Sequence, residues 1–588
     1  MFYLKIAWHN LKHSIDQYIP FLLASLLLYS LTCSTLLILM SAVGRDMGTA
    51  ATVLFLGVIV LSIFAVVMEH YSYNILMKQR SSEFGLYNIL GMNKRQVARV
   101  ASLELFIIYI FLISIGSLFS AFFAKFIYLI FVNIINYHAL NLSLSLWPFI
   151  ICIVIFTGIF LTLEVPVIRH VHLSSPLSLF RKKQQGEKEP KGNLILAILA
   201  LVAIAIAYTM ALTSGKAPAL AVIYRFFFAV LLVIAGTYLF YISFMTWYLK
   251  RLRQNKHYYY KSEHFVSTSQ MIFRMKQNAV GLASITLLAV MALVTIATTV
   301  SLYSNTHKNV KHVDITKTGF MYLITQNDFR RLGHQLPKLK DNQVAYFVQK
   351  GDSRLKKINL LGNKFDVVKN LKEAYVPETT NTYNPGLIIF ANNKQIDNIR
   401  KAYLPYTKNI NTFPKTFKAY LDLNSQEINS ISKNDIIEVD GKYVGNISTK
   451  QSFLKEGYQM FGGLLFTGFL LGISFLLGIA LIVYYKQYSE GHEDKRSYRI
   501  LQEVGMSKKL VKRTINSQIM IFFFQPLVVA VIHFGVAIPM LKQMLLVFGV
   551  LNSTIVYVVS GLTVLAISII YFIIYRITSR TYYHIIER

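Results

Sequence analysis

Three basic side chains, Lys125, Arg225 and Lys542, stand inside or at the ends of long apolar runs. A charge at membrane depth is expensive, which makes such a residue a functional candidate by default. All three read as lying toward the outer leaflet, where a pyrophosphate headgroup would accept charge-assisted hydrogen bonds from them. The plainer alternative is snorkelling to phospholipid headgroups, which long basic side chains near helix ends do routinely. Glu69, His70, Glu104 and Glu164, at the opposite ends of their runs, read as local ion-pair or surface residues. Catalytic chemistry finds no foothold. Ser214-Gly215-Lys216-Ala217 lacks the upstream glycine and the hydroxyl residue of a phosphate-binding loop, and no His-Glu-x-x-His occurs. No catalytic residue, metal site or cofactor is expected in this chain. Cys33 and Cys152 both fall within apolar runs, so neither a disulfide framework nor a metal centre is supported.

A second kind of chemistry is mechanical. The segment from Ser82 to Arg95 returns about four hundred residues later as Tyr498 to Lys509. Gly91 aligns with Gly505, and at the same offset Met92, Lys94 and Val97 meet Met506, Lys508 and Val511. Each copy is amphipathic and basic and lies between two apolar runs. Leu86, Leu90, Met92, Ile500, Leu501, Val504 and Met506 can supply apolar knobs to a partner's groove. Gly91 and Gly505 can permit a tight turn back into the next run. The bland reading of one copy is a surface helix on anionic lipid; two copies at matching positions favour docking onto a partner with two equivalent grooves.

These residues must be positioned by membrane helices. The chain is 54% hydrophobic with a mean hydropathy of +0.47. A crossing helix needs roughly 20 apolar residues. Ten stretches qualify, near Pro20–Ala42, Thr52–Met68, Leu105–Ile130, Trp147–Val167, Asn193–Leu212, Ala221–Tyr248, Val280–Tyr303, Phe461–Tyr485, Ile519–Met540 and Thr554–Tyr575. The net charge of +32 crowds into alternate loops, around Lys78/Arg80/Lys94/Arg95, Arg181/Lys182/Lys183 and Lys495/Arg496/Lys508/Lys509. That is the positive-inside pattern, not a nucleic-acid footprint, and it predicts both termini in the cytoplasm. The first apolar run is too long for a cleavable signal peptide and lacks a small-residue cleavage site.

Runs one to four resemble runs seven to ten, with five and six as an insertion, so the expected fold is an α-helical integral membrane protein. It comprises ten transmembrane helices as two four-helix repeats plus a two-helix insertion, and a small α/β extracytoplasmic domain between helices seven and eight. The expected boundaries are 1–180 for the first repeat, 181–192 for a cytoplasmic linker and 193–250 for the insertion. An amphipathic segment and helix seven take 251–304, the outer domain 305–455, and helices eight to ten 456–588. Within the outer domain Phe320–Ile324 and Gly386–Phe390 read as strands and Asp397–Ala402 as helix. It carries 24 Lys and Arg against 13 Asp and Glu, a balance that attracts anionic groups. Tyr375, Tyr383, Tyr403 and Tyr406 could pack on a ligand there, though such tyrosines are more often structural.

The pattern Glu83, Leu86, Leu90-Gly91-Met92-Asn93-Lys94 and Val97, followed by Glu104 at the mouth of another run, resembles the FtsX-like permease signature. Ten spans with an outer domain between seven and eight are similar to the bacitracin-resistance (BceB-like) permeases of antimicrobial-peptide ABC transporters. The topological resemblance covers essentially the whole chain; only the two repeated segments carry motif specificity. The resemblance implies a bacterial cell-membrane location and a separate ABC ATPase subunit, in this family a homodimer, that holds ATP and Mg. It further implies contact with a sensor histidine kinase, with undecaprenyl pyrophosphate or lipid II among membrane lipids, and with a peptide antibiotic. It implies no role for nucleic acid. By the same resemblance Glu83 joins the ATPase-coupling set. The second copy departs from the signature, with Ser497 for Glu83 and Gln518 for Glu104, so any carboxylate role is expected of the first half alone. Two other readings stay open: an FtsX-like regulator transmitting motion to a cell-wall hydrolase, and a permease extracting lipid or lipoprotein.

Overall fold

The computed structural model describes residues 2–41, 43–44, 49–137, 142, 145–173, 193–216, 219–259, 262–312, 450–503, 508–548, 550 and 553–587. It also describes nine strands between 319 and 448. In chain order the first helices are α1 (Phe2–His13), α2 (Ile15–Leu39), α3 (Thr49–Gln79), α4 (Ser81–Ile89), α5 (Lys94–Ile134) and α6 (Trp147–Leu173). After them come α7 (Leu194–Thr213), α8 (Ala219–Leu239), α9 (Met245–Gln254), α10 (Lys256–Tyr259) and α11 (Ser262–His312). Beyond the strands lie α12 (Lys450–Glu503), α13 (Lys508–Val547) and α14 (Ser553–Glu587). A π-turn over Phe240–Phe244 joins α8 to α9.

Ten helical stretches among the described residues are long and apolar enough to cross a membrane, and they correspond one for one to the ten expected from hydropathy. The reason is elementary. An apolar run in hydrocarbon must satisfy its own backbone, and a helix does so within one segment.

Spans one to four (α2, α3, α5 and α6) pack into one bundle. Tyr29 of α2 lies 4.9 Å, ring to ring, from Phe156 of α6 and hydrogen-bonds Ser117 of α5 at 2.7 Å. The seventh to tenth spans make a second bundle, in which Ile285 and Ala289 of α11 meet Ile479 and Ile482 of α12, Phe523 and Ala530 of α13, and Tyr571 of α14. The Tyr571 hydroxyl donates to the Phe523 carbonyl at 2.7 Å. The inserted pair packs on α13: Ala207, Val222 and Ala229 surround Met540. Buried His533 is held through both ring nitrogens, by Tyr208 at 2.7 Å and Thr237 at 3.1 Å.

The two bundles meet through equivalent spans, α3 and α12. Phe64 and Phe475 stack edge-on at 5.1 Å, and the Ser72 hydroxyl donates to Tyr485 at 3.0 Å. At the offset that carries Gly91 onto Gly505, Phe64 corresponds to Gly478. These equivalent positions touch, since a Cβ on Gly478 would stand 3.2 Å from the Phe64 ring. A large residue thus fills the space its own counterpart leaves.

Residues 303–459 and 546–552 form a separate compact unit. Its strands are β1 (Gly319–Thr325), β2 (Ala345–Val348), β3 (Lys357–Leu360), β4 (Asn363–Asp366), β5 (Leu387–Phe390), β6 (Thr416–Asp422), β7 (Ser432–Lys433), β8 (Ile436–Val439) and β9 (Lys442–Ser448). Seven of them make a sheet in the order β5-β2-β6-β1-β9-β8-β7, and β3 pairs with β4. The sheet is mixed, with β2 parallel to β5 and β6 and β1 antiparallel to β6 and β9. The two strands expected from sequence fall on β1 and β5. Asp397–Ala402 and the four tyrosines at 375, 383, 403 and 406 lie outside the described residues.

Candidate functional site

The first repeated segment forms α4 and the turn after it. Helix α3 breaks at Arg80, and α4 runs for nine residues. Phe84 is buried on the inward face, whereas Leu86, Ile89 and Leu90 are 46%, 59% and 72% exposed. Their i, i+3, i+4 spacing puts these three on one helical face. Ile89 was not singled out from sequence, although this spacing, read against Leu86 and Leu90, would have found it.

Two consecutive local motifs build the turn. Leu90 caps α4, the Gly91 amide donates to the Asn88 carbonyl and the Met92 amide to the Tyr87 carbonyl. This is a Schellman ending, whose residue after the cap needs the left-handed conformation. Gly91 supplies it with φ +99°, and a Cβ there would meet nothing within 4 Å, so its requirement is one of backbone alone. Asn93 then adopts an extended conformation and starts α5, its amide donating to the Gln96 side chain at 2.8 Å. The run Leu90-Gly91-Met92-Asn93-Lys94-Arg95-Gln96 is therefore a helix stop followed at once by a helix start. Met92 turns inward and packs against the first bundle.

Behind the exposed face lies a charged cluster with no solvent contact at its centre. The Arg80 side chain is fully buried and Glu104 is 2% exposed. One guanidinium nitrogen, Nη1, donates to both the Glu104 carboxylate and the Tyr18 hydroxyl, and Nη2 donates to Glu104 at 3.1 Å. Arg80 Nε donates to Glu83 at 2.9 Å. Glu104 also accepts from Tyr18 and from Asn10, each at 2.8 Å, and Tyr87 donates to Asn10 at 2.9 Å. The Tyr18 and Phe84 rings cover the guanidinium at 5.2 and 5.1 Å. Burial works against the Arg80 charge, but the Glu104 carboxylate beside it raises the guanidinium pKa above its ordinary value. Sequence reasoning left Arg80 among the loop cations and gave Tyr18 and Asn10 no role. The available signal was Glu104 itself: a carboxylate at the entry of an apolar span needs a cation.

The other acidic expectations divide. Glu104 is ion-paired, and Glu164 accepts from Ser102 at 2.6 Å. Glu69 is neither ion-paired nor at the surface: it is buried against Ser25, which donates to it at 2.8 Å. Glu69 occupies the inward face of a span that packs on both bundles, so its position in the helix overrides its charge.

The second repeated segment differs in form. Where α3 and α4 are separated by Arg80, α12 continues unbroken to Glu503, and Asp494 occupies the position equivalent to Arg80. Even so, the ends coincide: α4 and α12 stop at equivalent positions, Ile89 and Glu503, and α5 and α13 start at Lys94 and Lys508. Ile500 is 49% exposed on α12. Leu501 lies in the same helix, but its side chain, with Val504, Gly505 and Met506, falls outside the described residues.

The three basic candidates sit on three helices. Lys125 of α5 and Arg225 of α8 are exposed, while Lys542 of α13 is half-buried with its Nζ 6.0 Å over the Tyr557 ring of α14. No shared partner links them among the described residues.

Residues 51–171, covering α3 to α6 with the Schellman turn and the buried cluster's Arg80 and Glu104, match the family model described as FtsX-like permease C-terminal. The chain carries an FtsX-like permease domain. Over 530 residues it is 22% identical to ABC transporter permease protein YxdM of Bacillus subtilis, covering 80% of this chain and 82% of that protein. Over 556 residues it is 23% identical to Bacitracin export permease protein BceB of the same organism, covering 83% and 84%. The BceB of Halalkalibacterium halodurans is 26% identical over 250 residues, or 41% of this chain and 39% of that one. Ten helices long and apolar enough to cross a membrane, together with this domain, support a multi-pass membrane protein that is similar over most of its length to ABC transporter permeases.

Proposed function

We propose that this chain is the permease subunit of an ABC transporter giving resistance to cell-wall-targeting antimicrobial peptides. A separate ATPase subunit, as a homodimer, grips α4 and the end of α12 and hydrolyses ATP. The work frees a peptide from a lipid II cycle intermediate or exports it, and a sensor histidine kinase reads the same motion. Both termini lie in the cytoplasm, on the side of the docking helices. Lys125, Arg225 and Lys542 are the candidate contacts for the lipid pyrophosphate.

The observation that carries the reading is the apolar face Leu86–Ile89–Leu90. It stands exposed at a tight turn between two membrane spans, inside the segment that matches the permease family. An apolar helical face of this kind suits insertion into a protein groove. Similarity to permeases named for bacitracin export, over most of both chains, supports the choice of peptide resistance. The test is a deletion strain complemented with wild type or with Leu90→Asp plus Val504→Asp, challenged with bacitracin, nisin and related peptides. Wild type should restore resistance and retain the ATPase subunit on purification; the double variant should insert normally and do neither. Unchanged sensitivity of the deletion strain across the panel, with altered cell morphology, would favour a hydrolase regulator instead.

A further inference from the structure

The clasp around Arg80 touches four elements and takes no part in the exposed docking face. It joins α4 through Glu83 and Phe84, α2 through Tyr18, α5 through Glu104, and α1 through Asn10. An isolated helix of nine residues does not hold itself in water, so α4 owes its orientation to what anchors it. A buried ion pair is weak evidence for stability, and its best-attested use is fixing one geometry among several. The clasp belongs to one repeat only. At the repeat offset Arg80, Glu83 and Glu104 become Asp494, Ser497 and Gln518, which reverses one charge and removes two. The second repeat cannot build the same ion pair from its equivalent positions, and its docking segment is the end of a continuous helix instead.

We propose that Arg80, Glu104 and Tyr18 are positioning residues that make the first docking helix a rigid lever on the first bundle, so that the two docking helices transmit unequally and the first half is the driven one. This rests on the docking reading above. Motion imposed on α4 passes through the bidentate Arg80–Glu104 pair to α5 and through Tyr18 to α2 as one body. The second docking segment, at the end of α12, has Asp494, Ser497 and Gln518 at the equivalent positions and so lacks this ion pair to tie it to its neighbours.

The experiment uses the full chain with its ATPase subunit in nanodiscs, and the same variants in the complemented deletion strain. Glu104→Gln installs the residue of the second repeat, Tyr18→Phe removes one hydroxyl, and Gln518→Ala is the second-repeat counterpart. Residues that couple sites typically change transmission by roughly two- to thirtyfold. Glu104→Gln should keep the ATPase subunit and its hydrolysis while resistance falls toward the upper end of that range. Tyr18→Phe should fall less, and Gln518→Ala should match wild type. A purely structural residue would lower hydrolysis and resistance together. An unchanged ratio of resistance to hydrolysis in Glu104→Gln overturns the proposal, as does loss of the ATPase subunit from that variant. Equal uncoupling by Gln518→Ala overturns the inequality. Should Glu104→Gln fail to reach the membrane, Tyr18→Phe is judged by the same ratio. Failure of wild type to retain any ATPase subunit would sink the docking reading instead, which the Glu104→Gln result alone does not touch.

Discussion

Leu90 is the most exposed of the three apolar side chains on α4, at 72%. Full burial of a leucine is worth about 1.5–3 kcal/mol, so roughly 1–2 kcal/mol of that remains for a partner to collect. Leu90→Ala should therefore weaken docking by roughly tenfold, at 1.4 kcal/mol per power of ten. Leu90→Asp adds the cost of placing a carboxylate in an apolar groove, about 2 kcal/mol at the low end of polar burial. The sum predicts a loss of roughly two to three powers of ten at that site. Two docking helices in one chain can mask the loss through avidity, which reaches about 10²–10⁴ for linked sites. Hence the decisive variant is Leu90→Asp with Val504→Asp. The assay is a titration of ATPase subunit onto nanodisc-held permease at fixed nucleotide, for each single variant and the pair. Phe84→Ala serves as the folding control, because that ring is buried and its removal should cost about 3–5 kcal/mol in the bundle. Binding of the double variant within about twofold of wild type, with normal yield, would refute the docking argument, since the burial arithmetic leaves no room for so small an effect.

Gly91→Ala should strain the turn by about 1–2 kcal/mol, because φ is +99° and nothing crowds the new methyl; thermal unfolding of detergent-held protein should show a lower midpoint, and an unchanged one would contradict the backbone account. Gly478→Leu should push the two bundles apart, since its Cβ would lie 3.1–3.2 Å from Leu288, Met68 and Phe64. Overpacking of this kind costs about 1–3 kcal/mol; added Phe64→Ala should recover much of it, and no recovery would mean the contact between the repeats is not what was overfilled. Replacing Lys125, Arg225 and Lys542 together by Gln should reduce retention on vesicles containing undecaprenyl pyrophosphate and lower peptide resistance. Wild-type values for both would leave the three as headgroup anchors only.

Hydropathy made the ten spans legible because it sums over about 20 residues, and no local exception can hide so long a run. The turn at Gly91 was legible for a different reason, being written in seven consecutive residues whose stop and start chemistry is local. The buried clasp was not, because it joins residues as far apart as Asn10 and Glu104, and no window of sequence contains both. Glu69 misled for a related reason. Its charge suggested an ion pair or a surface, whereas the packing of α3 against α2 buries it beside Ser25, and only the tertiary arrangement reveals that packing. The Phe64–Gly478 contact joins equivalent positions of the two repeats, which the sequence aligns but does not bring together. Sequence comparison of the copies, however, registers Phe against Gly as a loss of similarity when in space it is complementarity.

These pieces connect along one helix. Arg80 stands at the junction of α4 and α3, and α3 carries the contact with the second repeat at Gly57, Phe64, Met68 and Ser72. From Thr49 to Gln79 it contains no proline, while α2, α6 and α13 contain Pro20, Pro166 and the pair Pro526 and Pro539. Proline removes a helical hydrogen bond and admits a kink, so bending concentrates in those three helices. Helix α3 has no such weak point. A displacement delivered at Leu86–Leu90 therefore reaches the seam between the repeats with its length intact, and the edge-on Phe64–Phe475 pair and the Ser72–Tyr485 bond must slide or break to admit it. If the clasp at Arg80 were soft, the same displacement would be spent on tilting α4 alone. On the lever proposal, the stiffness of one buried ion pair decides whether the seam moves.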